Sequence, residues 1–307
     1  MKSLYTPSRR HFLATTAFSA STLYQEFGNA VEKGKLELCV FNKPLQHLNY
    51  ADQAELVAEM GFTGIEGTVR KGGHVVPEKV ADDLPRQMEA LKTNGLEMAI
   101  MTTDVNDIDS AIHRQVLKTA ASLGVKRFRM GGIKYDAKQP LPTQLQEIRG
   151  RFKDLAEFCK QLNIQPLYQN HSGANRFGAG IWDLCDVVKD LSETGAGIAF
   201  DIRHAVVEGG LSWPTEFQLA RPFFGAVYCK DFEWLKDTKR PQNVPLGTGM
   251  VDYKGFLKML LKSGYSGPVS LHMEYKNHRD PALLQESIAA IRSDKKRFLE
   301  ILDEVKG

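Results

Sequence analysis

Residues 36–67, LELCVFNKPLQHLNYADQAELVAEMGFTGIEG, hold the unit from which the fold can be read. Residues 36–41 are a short β-rich run, 50–60 carry the apolar spacing of an amphipathic helix, Gly61 is a helix stop, and 63–67 begin a second β-rich run. The unit recurs along the chain. Strands are predicted at 36–41, 63–67, 96–102, 126–130, 165–169, 197–201, 225–230 and 268–274, and helices at 50–60, 78–93, 107–123, 142–161, 181–191, 214–221, 253–261 and 281–305. Eight successive βα units predict an α/β protein of the (β/α)8 TIM barrel type, folded as a single domain. A doubly wound open sheet would want a Gly-rich phosphate turn after its first strand. Asn42-Lys43-Pro44-Leu45 stands there instead.

Outward from the barrel, residues 1–30 read as a leader. Lys2, Arg9 and Arg10 precede a mildly apolar Ala/Ser/Thr-rich stretch that ends at Gly28-Asn29-Ala30, a small-x-small cleavage pattern. Ser8-Arg9-Arg10-His11-Phe12-Leu13 resembles a twin-arginine export signal, which predicts a bacterial periplasmic or secreted protein whose mature body is 31–307. The four cysteines form no CxxC pair and no zinc-ligand spacing, so buried free thiols are expected. No run reaches the roughly 18 to 20 apolar residues that a membrane span needs.

The 307 residues carry 40 Lys+Arg against 37 Asp+Glu, a net charge of +3, with 42% hydrophobic residues. Three of the basic residues and one acid fall in the leader, so residues 31–307 are close to neutral. The basic residues form no stripe, which argues against a nucleic-acid partner and favours a small, polar, uncharged ligand. The oligomeric state stays open, and a homo-oligomer is compatible with the sequence.

A TIM barrel places its chemistry at the C-terminal ends of its strands. Those ends read Gly64-Ile65-Glu66-Gly67, followed by Arg70 and His74; Arg127-Phe128-Arg129; Tyr168-Gln169-Asn170-His171; Asp201-Ile202-Arg203-His204; Tyr228-Cys229-Lys230-Asp231; and His272-Met273-Glu274. Residues two apart share a face, so Ser270, His272 and Glu274 point into the barrel together, as do Tyr228 with Lys230 and Arg127 with Arg129. Charged groups inside a barrel call for a ligand, a metal or a counter-charge. Simpler roles compete. Glu274 can be half of a buried pair with Lys230 or an arginine, Asp201 and His204 can form an Asx-type turn, Lys230 can pair locally with Asp231, and Glu66 can anchor the loop of Arg70 and His74. Trp213 and Trp234 follow the sixth and seventh strands, where aromatic faces can stack on sugar rings. Residues 234–250 are long enough to form a lid.

Gly61-Phe62-x-Gly64-Ile65-Glu66, Asn170-His171, Asp201-x-x-His204, Lys230-Asp231, Pro245-x-Gly247-x-Gly249-x-Val251-Asp252 and Glu274 follow one another on successive strands. In that order they resemble the xylose isomerase-like TIM barrel superfamily of sugar phosphate isomerases and epimerases. The resemblance implies one divalent ion (Mn, Mg or Zn) held by a Glu, an Asp, a His and a Glu on the fifth to eighth strands, the two glutamates also moving protons. Asp201 and Glu274 match that set, whereas Gln169 and Tyr228 stand where the first Glu and the His belong. The metal expectation is therefore Gln169, Asp201 and Glu274, with His171 or His204 as substitute ligands. Glutamine cannot abstract a proton, which leaves Glu274 as base, with His204, His171 or Lys230 as acid or electrostatic partner. Substrate contacts are expected from Glu66, His74, Arg129, Asn170, Trp213 and Trp234. The implied function is a carbohydrate isomerase or epimerase acting on a sugar or keto-sugar. A single-base keto-glycoside lyase and a non-catalytic sugar-binding barrel are the alternatives. A nuclease reading lacks both a basic groove and enough histidine ligands.

Overall fold

A computed structural model describes residues 36–307; the expected export leader lies outside the described residues. Eight parallel strands close on themselves: β1 (Leu36–Phe41), β2 (Gly64–Val69), β3 (Glu97–Thr103), β4 (Arg127–Arg129), β5 (Gln165–Gln169), β6 (Gly197–Asp201), β7 (Phe224–Cys229) and, after a short hairpin, β10 (Gly267–Leu271). β10 pairs with β1, Leu38 opposite Val269, and this closes the ring. Helices α1 (Tyr50–Glu59), α2 (Val80–Thr93), α3 (Ala111–Ser122), α4 (Leu141–Gln161), α5 (Trp182–Val188), α7 (Trp213–Ala220), α8 (Tyr253–Lys262) and α9 (Leu284–Lys306) follow the strands as expected. Asn49 and Asp252 cap α1 and α8 by accepting the backbone N–H of Asp52 and Gly255. Gly61 ends the turn after α1 with φ +71, which a residue with a Cβ would adopt only under strain.

Two features depart from the predicted elements. Residues Ile202–Gly209 form an additional helix, α6, directly on the end of β6, because the Asp201 carboxylate accepts the backbone N–H of His204 and starts a helical turn where a loop was expected. Residues 231–244 form an antiparallel hairpin, β8 (Asp231–Trp234) with β9 (Pro241–Val244), in place of an irregular lid.

The core has two parts. The larger fills the space between strands and helices. The smaller lies inside the barrel and comprises Cys39, Ala99, Ile100, Leu167, Ala199, Ala226 and Tyr228. Above that layer the barrel interior turns polar, with Glu66, Thr102, Gln169, Asp201 and His272 all buried. The strand register of β2 against β3 shifts between Ile65 and Glu66, and that of β6 against β7 shifts between Ile198 and Ala199. Such irregularities re-aim side chains at a strand end. All four cysteines are buried and unpaired, as expected.

Candidate active site

A cavity of about 240 Å3 opens at the C-terminal mouth of the barrel. Its wall includes Phe41 and Lys43 from the end of β1, Arg70 after β2, Arg129 on β4, Gln169 and His171 at β5, Arg176 beyond it, Lys230 after β7 and Glu274 after β10.

Lys230 is the hub of this wall. Its Nζ lies 2.9 Å from Glu274 Oε2 and 3.2 Å from Asp201 Oδ2, with the side chain 5% exposed. Lys43 holds the other Glu274 oxygen at 2.8 Å. Burial alone would raise the Glu274 pKa, but Lys230, His272 and Lys43 outweigh it and hold the carboxyl well below the usual range. For Lys230 burial favours the neutral amine, yet Asp201 and Glu274 more than offset that, so it remains a cation. Beneath the cavity His272 Nε2 meets Glu66 Oε2 at 2.6 Å, with Tyr228 and Phe41 stacked against the imidazole. Burial pushes Glu66 up, but His272, Arg129 and Thr102 bring it down to about 2; the Glu66 and Glu274 carboxylates likewise overcome burial and raise His272.

Beside this ion cluster lie two imidazoles, His171 and His204, with ring centres 4.0 Å apart and planes tilted by 32°. His171 Nδ1 donates to the Ser172 carbonyl at 2.9 Å, which leaves the lone pair of the neutral ring on Nε2. Burial, reinforced by the Lys230 charge, lowers its pKa to about 4. His204 is fully enclosed. Its Nδ1 accepts from Ser172 Oγ and Arg203 Nη1, so the neutral ring carries its proton on Nε2, 3.5 Å from Asp201 Oδ2.

The cavity is thus lined from seven of the eight strand ends and centres on a buried ammonium that bridges two carboxylates. The family model for the xylose isomerase-like TIM barrel matches residues 54–294. The chain belongs to that family. An uncharacterized protein of Methanocaldococcus jannaschii is 30% identical over 125 residues, which are 39% of this chain and only 37% of that relative. The solved structure of a 3-keto-D-glucoside 4-epimerase from E. coli superposes with a TM-score of 0.64 at 14% identity, over 85% of this chain and all of the other. The IolI protein, solved with a zinc atom, superposes with a TM-score of 0.68 at 18% identity, over 88% of this chain and 99% of that one. At such identities the likeness is one of fold.

The donor set of this xylose isomerase-like barrel does not suit the divalent ion expected on Gln169, Asp201 and Glu274. The Gln169 carbonyl accepts from Arg129 Nη1 at 2.5 Å, and its amide donates to Asp201 Oδ2 at 2.7 Å, so both ends are engaged. The Lys230 ammonium sits between the two carboxylates that would have to share an ion. Among the described residues no three His, Cys, Asp or Glu side chains converge as a metal cluster.

Of the expected catalytic groups, Glu274, Lys230 and His171 line the cavity, whereas His204 lies behind His171 as its support. The expected substrate contacts fare differently. Arg129 is on the wall. Glu66 is completely buried below it. Asn170 exchanges two hydrogen bonds with the backbone of Asp201 and ties the ends of β5 and β6 together. His74 turns away to Gln53 at 2.8 Å. Trp213 opens α7 and packs edge-on against Phe256 in the helix layer, and Trp234 sits on the hairpin, 45% exposed, against Phe232. Neither tryptophan borders the cavity, because the chain leaving β6 and β7 enters regular structure that carries both rings outward.

Lys230 does not pair with Asp231. The Asp231 carboxylate accepts the N–H groups of Phe232, Gly247, Gly249 and Val251, which explains the Pro245-to-Asp252 motif as a loop wrapped on one carboxylate. A Cβ at Gly249 would lie 2.2 Å from the Phe232 carbonyl, so only glycine fits that wrap. Lys43 and Arg176 escaped the reading of strand ends because both lie in the loops beyond them. Their signal was a cation in a βα-loop on the functional face.

Proposed function

We propose that this protein is a carbohydrate isomerase or epimerase that removes and returns a proton next to a sugar carbonyl, with the Lys230 ammonium in the electrostatic role often given to a metal. The observation that carries the reading is Lys230 itself, held between Asp201 and Glu274 at the cavity wall. A fixed cation at that point stabilises the negative charge that develops on a carbonyl oxygen as the neighbouring C–H bond breaks. Glu274 is the ionised carboxylate beside it and takes the proton. His171, neutral with a free Nε2, is the second group on the wall able to accept and return one. The sugar epimerase among the fold relatives supports this chemistry. The leader-like residues 1–30 support action outside the bacterial cytoplasm.

Gln169 supplies no second carboxylate, and this favours a second reading, a keto-glycoside lyase in which the same abstraction expels a glycosidic oxygen. One experiment covers both. Wild-type protein incubated with keto-sugars and keto-glycosides in D2O, followed by NMR, is expected to place deuterium next to the carbonyl; release of the aglycone would assign the lyase. Glu274→Gln should abolish exchange. Wild-type protein that binds such sugars yet exchanges no proton would reduce it to the binding barrel.

A further inference from the structure

The charge of the cavity bears on the substrate beyond its carbonyl, taking the proposed sugar chemistry as given. Five cationic side chains, Lys43, Arg70, Arg129, Arg176 and Lys230, line the wall with only two carboxylates, Asp104 and Glu274. The lysines are answered by Glu274 and Asp201, and the buried Glu66 by His272. The arginines have no such ion pair. Among the described residues no carboxylate oxygen lies within the 4.0 Å ion-pair distance of Arg70, Arg129 or Arg176. Arg129 spends Nη1 on the neutral Gln169 carbonyl, and its buried Nε has no partner among the described residues. Arg70 lies over the Phe41 ring; burial and the charge of Arg129 depress its pKa, against the opposing pull of Asp104, Glu66 and Glu274. Asp104 is exposed, and its Oδ2 accepts the Lys71 backbone N–H.

Arg176 lies close against two glycines. A Cβ at Gly132 would lie 3.2 Å from its Nη1, and one at Gly173 would lie 3.3 Å from its Nε. Glycines on two different loops thus let one guanidinium lie against the chain at the cavity edge. Three arginines from separate segments, with no ion-pair partner among the described residues and only longer-range attraction from Glu66, Asp104 and Glu274, form a costly arrangement that an anion would complete. Planar guanidinium forks are the groups best matched to carboxylate and phosphate oxygens. A cavity of about 240 Å3 is at the small end for ligand sites and suits one sugar ring.

We propose that the substrate is an anionic monosaccharide whose oxyanion, a carboxylate or a phosphate ester, is held by Arg70, Arg129 and Arg176 while its carbonyl end reaches Lys230. The proposal departs from the uncharged ligand expected from the near-neutral chain. Total charge is a sum over the surface, whereas the ligand meets only the local excess.

Titration calorimetry on the full protein with glucuronate, glucose 6-phosphate and glucose, at low and high salt, tests the proposal. The better of the two anions is expected to bind roughly 10- to 100-fold tighter than glucose, by an amount that shrinks with salt. Tighter glucuronate assigns the carboxylate, and tighter glucose 6-phosphate the ester. Arg70→Gln and Arg176→Gln should each remove most of the preference, with Arg176→Lys retaining part of it. Glucose binding as tightly as both anions, no anion binding at all, or a preference that survives in the double Gln variant each overturns the proposal. The comparison on wild-type protein decides even where a variant does not fold. The two proposals fail separately: anion binding without deuterium exchange in any sugar refutes the reaction alone, and exchange into a neutral keto-sugar without anion preference refutes the anion site alone.

Discussion

Replacing Lys230 by methionine keeps the length and apolar stem of the side chain but removes the charge at the centre of the cluster. The ammonium makes contacts of 2.9 Å with Glu274 and 3.2 Å with Asp201. At an effective dielectric near 20 each contact is worth roughly 5 kcal/mol of Coulomb attraction, much of it cancelled by the desolvation of the three ions. The variant keeps the penalty on the carboxylates and loses the attraction. Glu274 retains Lys43, while Asp201 keeps the neutral donors of the Gln169 amide and the His204 backbone N–H. The net loss is expected to be about 3 to 5 kcal/mol, as for breaking other buried pairs, or roughly 10 °C in Tm. The deficit should also depend on pH. Without Lys230 the Glu274 carboxyl loses the strongest influence holding its pKa down, so the folded variant takes up a proton at a higher pH than the wild type does. A folded state that binds more protons gains relative stability as pH falls, so the difference between the two proteins should narrow from pH 7 to pH 5. Urea unfolding followed by circular dichroism at both pH values measures this. A variant within about 1 kcal/mol of wild type at pH 7, with an unchanged pH slope, would refute the buried counter-ion.

Elemental analysis of the purified protein should find divalent metal well below one ion per chain, and a chelator should leave deuterium exchange unchanged; stoichiometric Mn, Mg or Zn whose removal stops exchange would overturn the assignment to Lys230. Glu66 sits near 2 in the folded state against an ordinary 4.5, so the stability it contributes is present above pH 4.5 and drains away as pH falls toward 2. Glu66→Gln should flatten that acid slope while lowering stability at neutral pH, and an unaltered slope in urea titrations counts against the Glu66–His272 pair. The low pKa of His171 keeps its ring neutral down to about pH 4, so exchange should persist through pH 5 and fall as His171 protonates near 4; an acid limb near the ordinary 6.5 would show the ring to be solvated. Trp234→Ala should leave sugar affinity within about twofold, because interactions outside the cavity contribute little, whereas a tenfold loss by calorimetry would restore the tryptophan to the site.

Most of the barrel was legible because its signals are local. Periodicity of 2 in the strands and 3.6 in the helices recurs along the chain, glycine stands at several of the helix stops, and none of these signals depends on distant residues. Helix α6 was missed because a capping aspartate at a strand end reads equally well as a turn, and the hairpin because Pro, Lys and Gly in residues 234–250 look like an irregular loop. The site was legible as a set of strand-end residues, Glu66, Gln169, Asp201, Lys230 and Glu274, since alternation decides which of them point inward. Their partners were not. The tryptophans were misplaced because residues just beyond a strand end can leave the mouth of the barrel as easily as line it.

Residue order thus specified eight βα units and the face on which chemistry belongs. The closing of the ring decided the electrostatics. Lys43 meets Glu274 across 231 positions of chain, and His272 meets Glu66 across 206. Ion pairing falls off within a few ångströms in a medium of uneven dielectric, so which charges cancel is a property of distances that no linear spacing encodes. Only the folded chain shows Lys230 between two carboxylates and three arginines that, among the described residues, have no carboxylate at ion-pair distance.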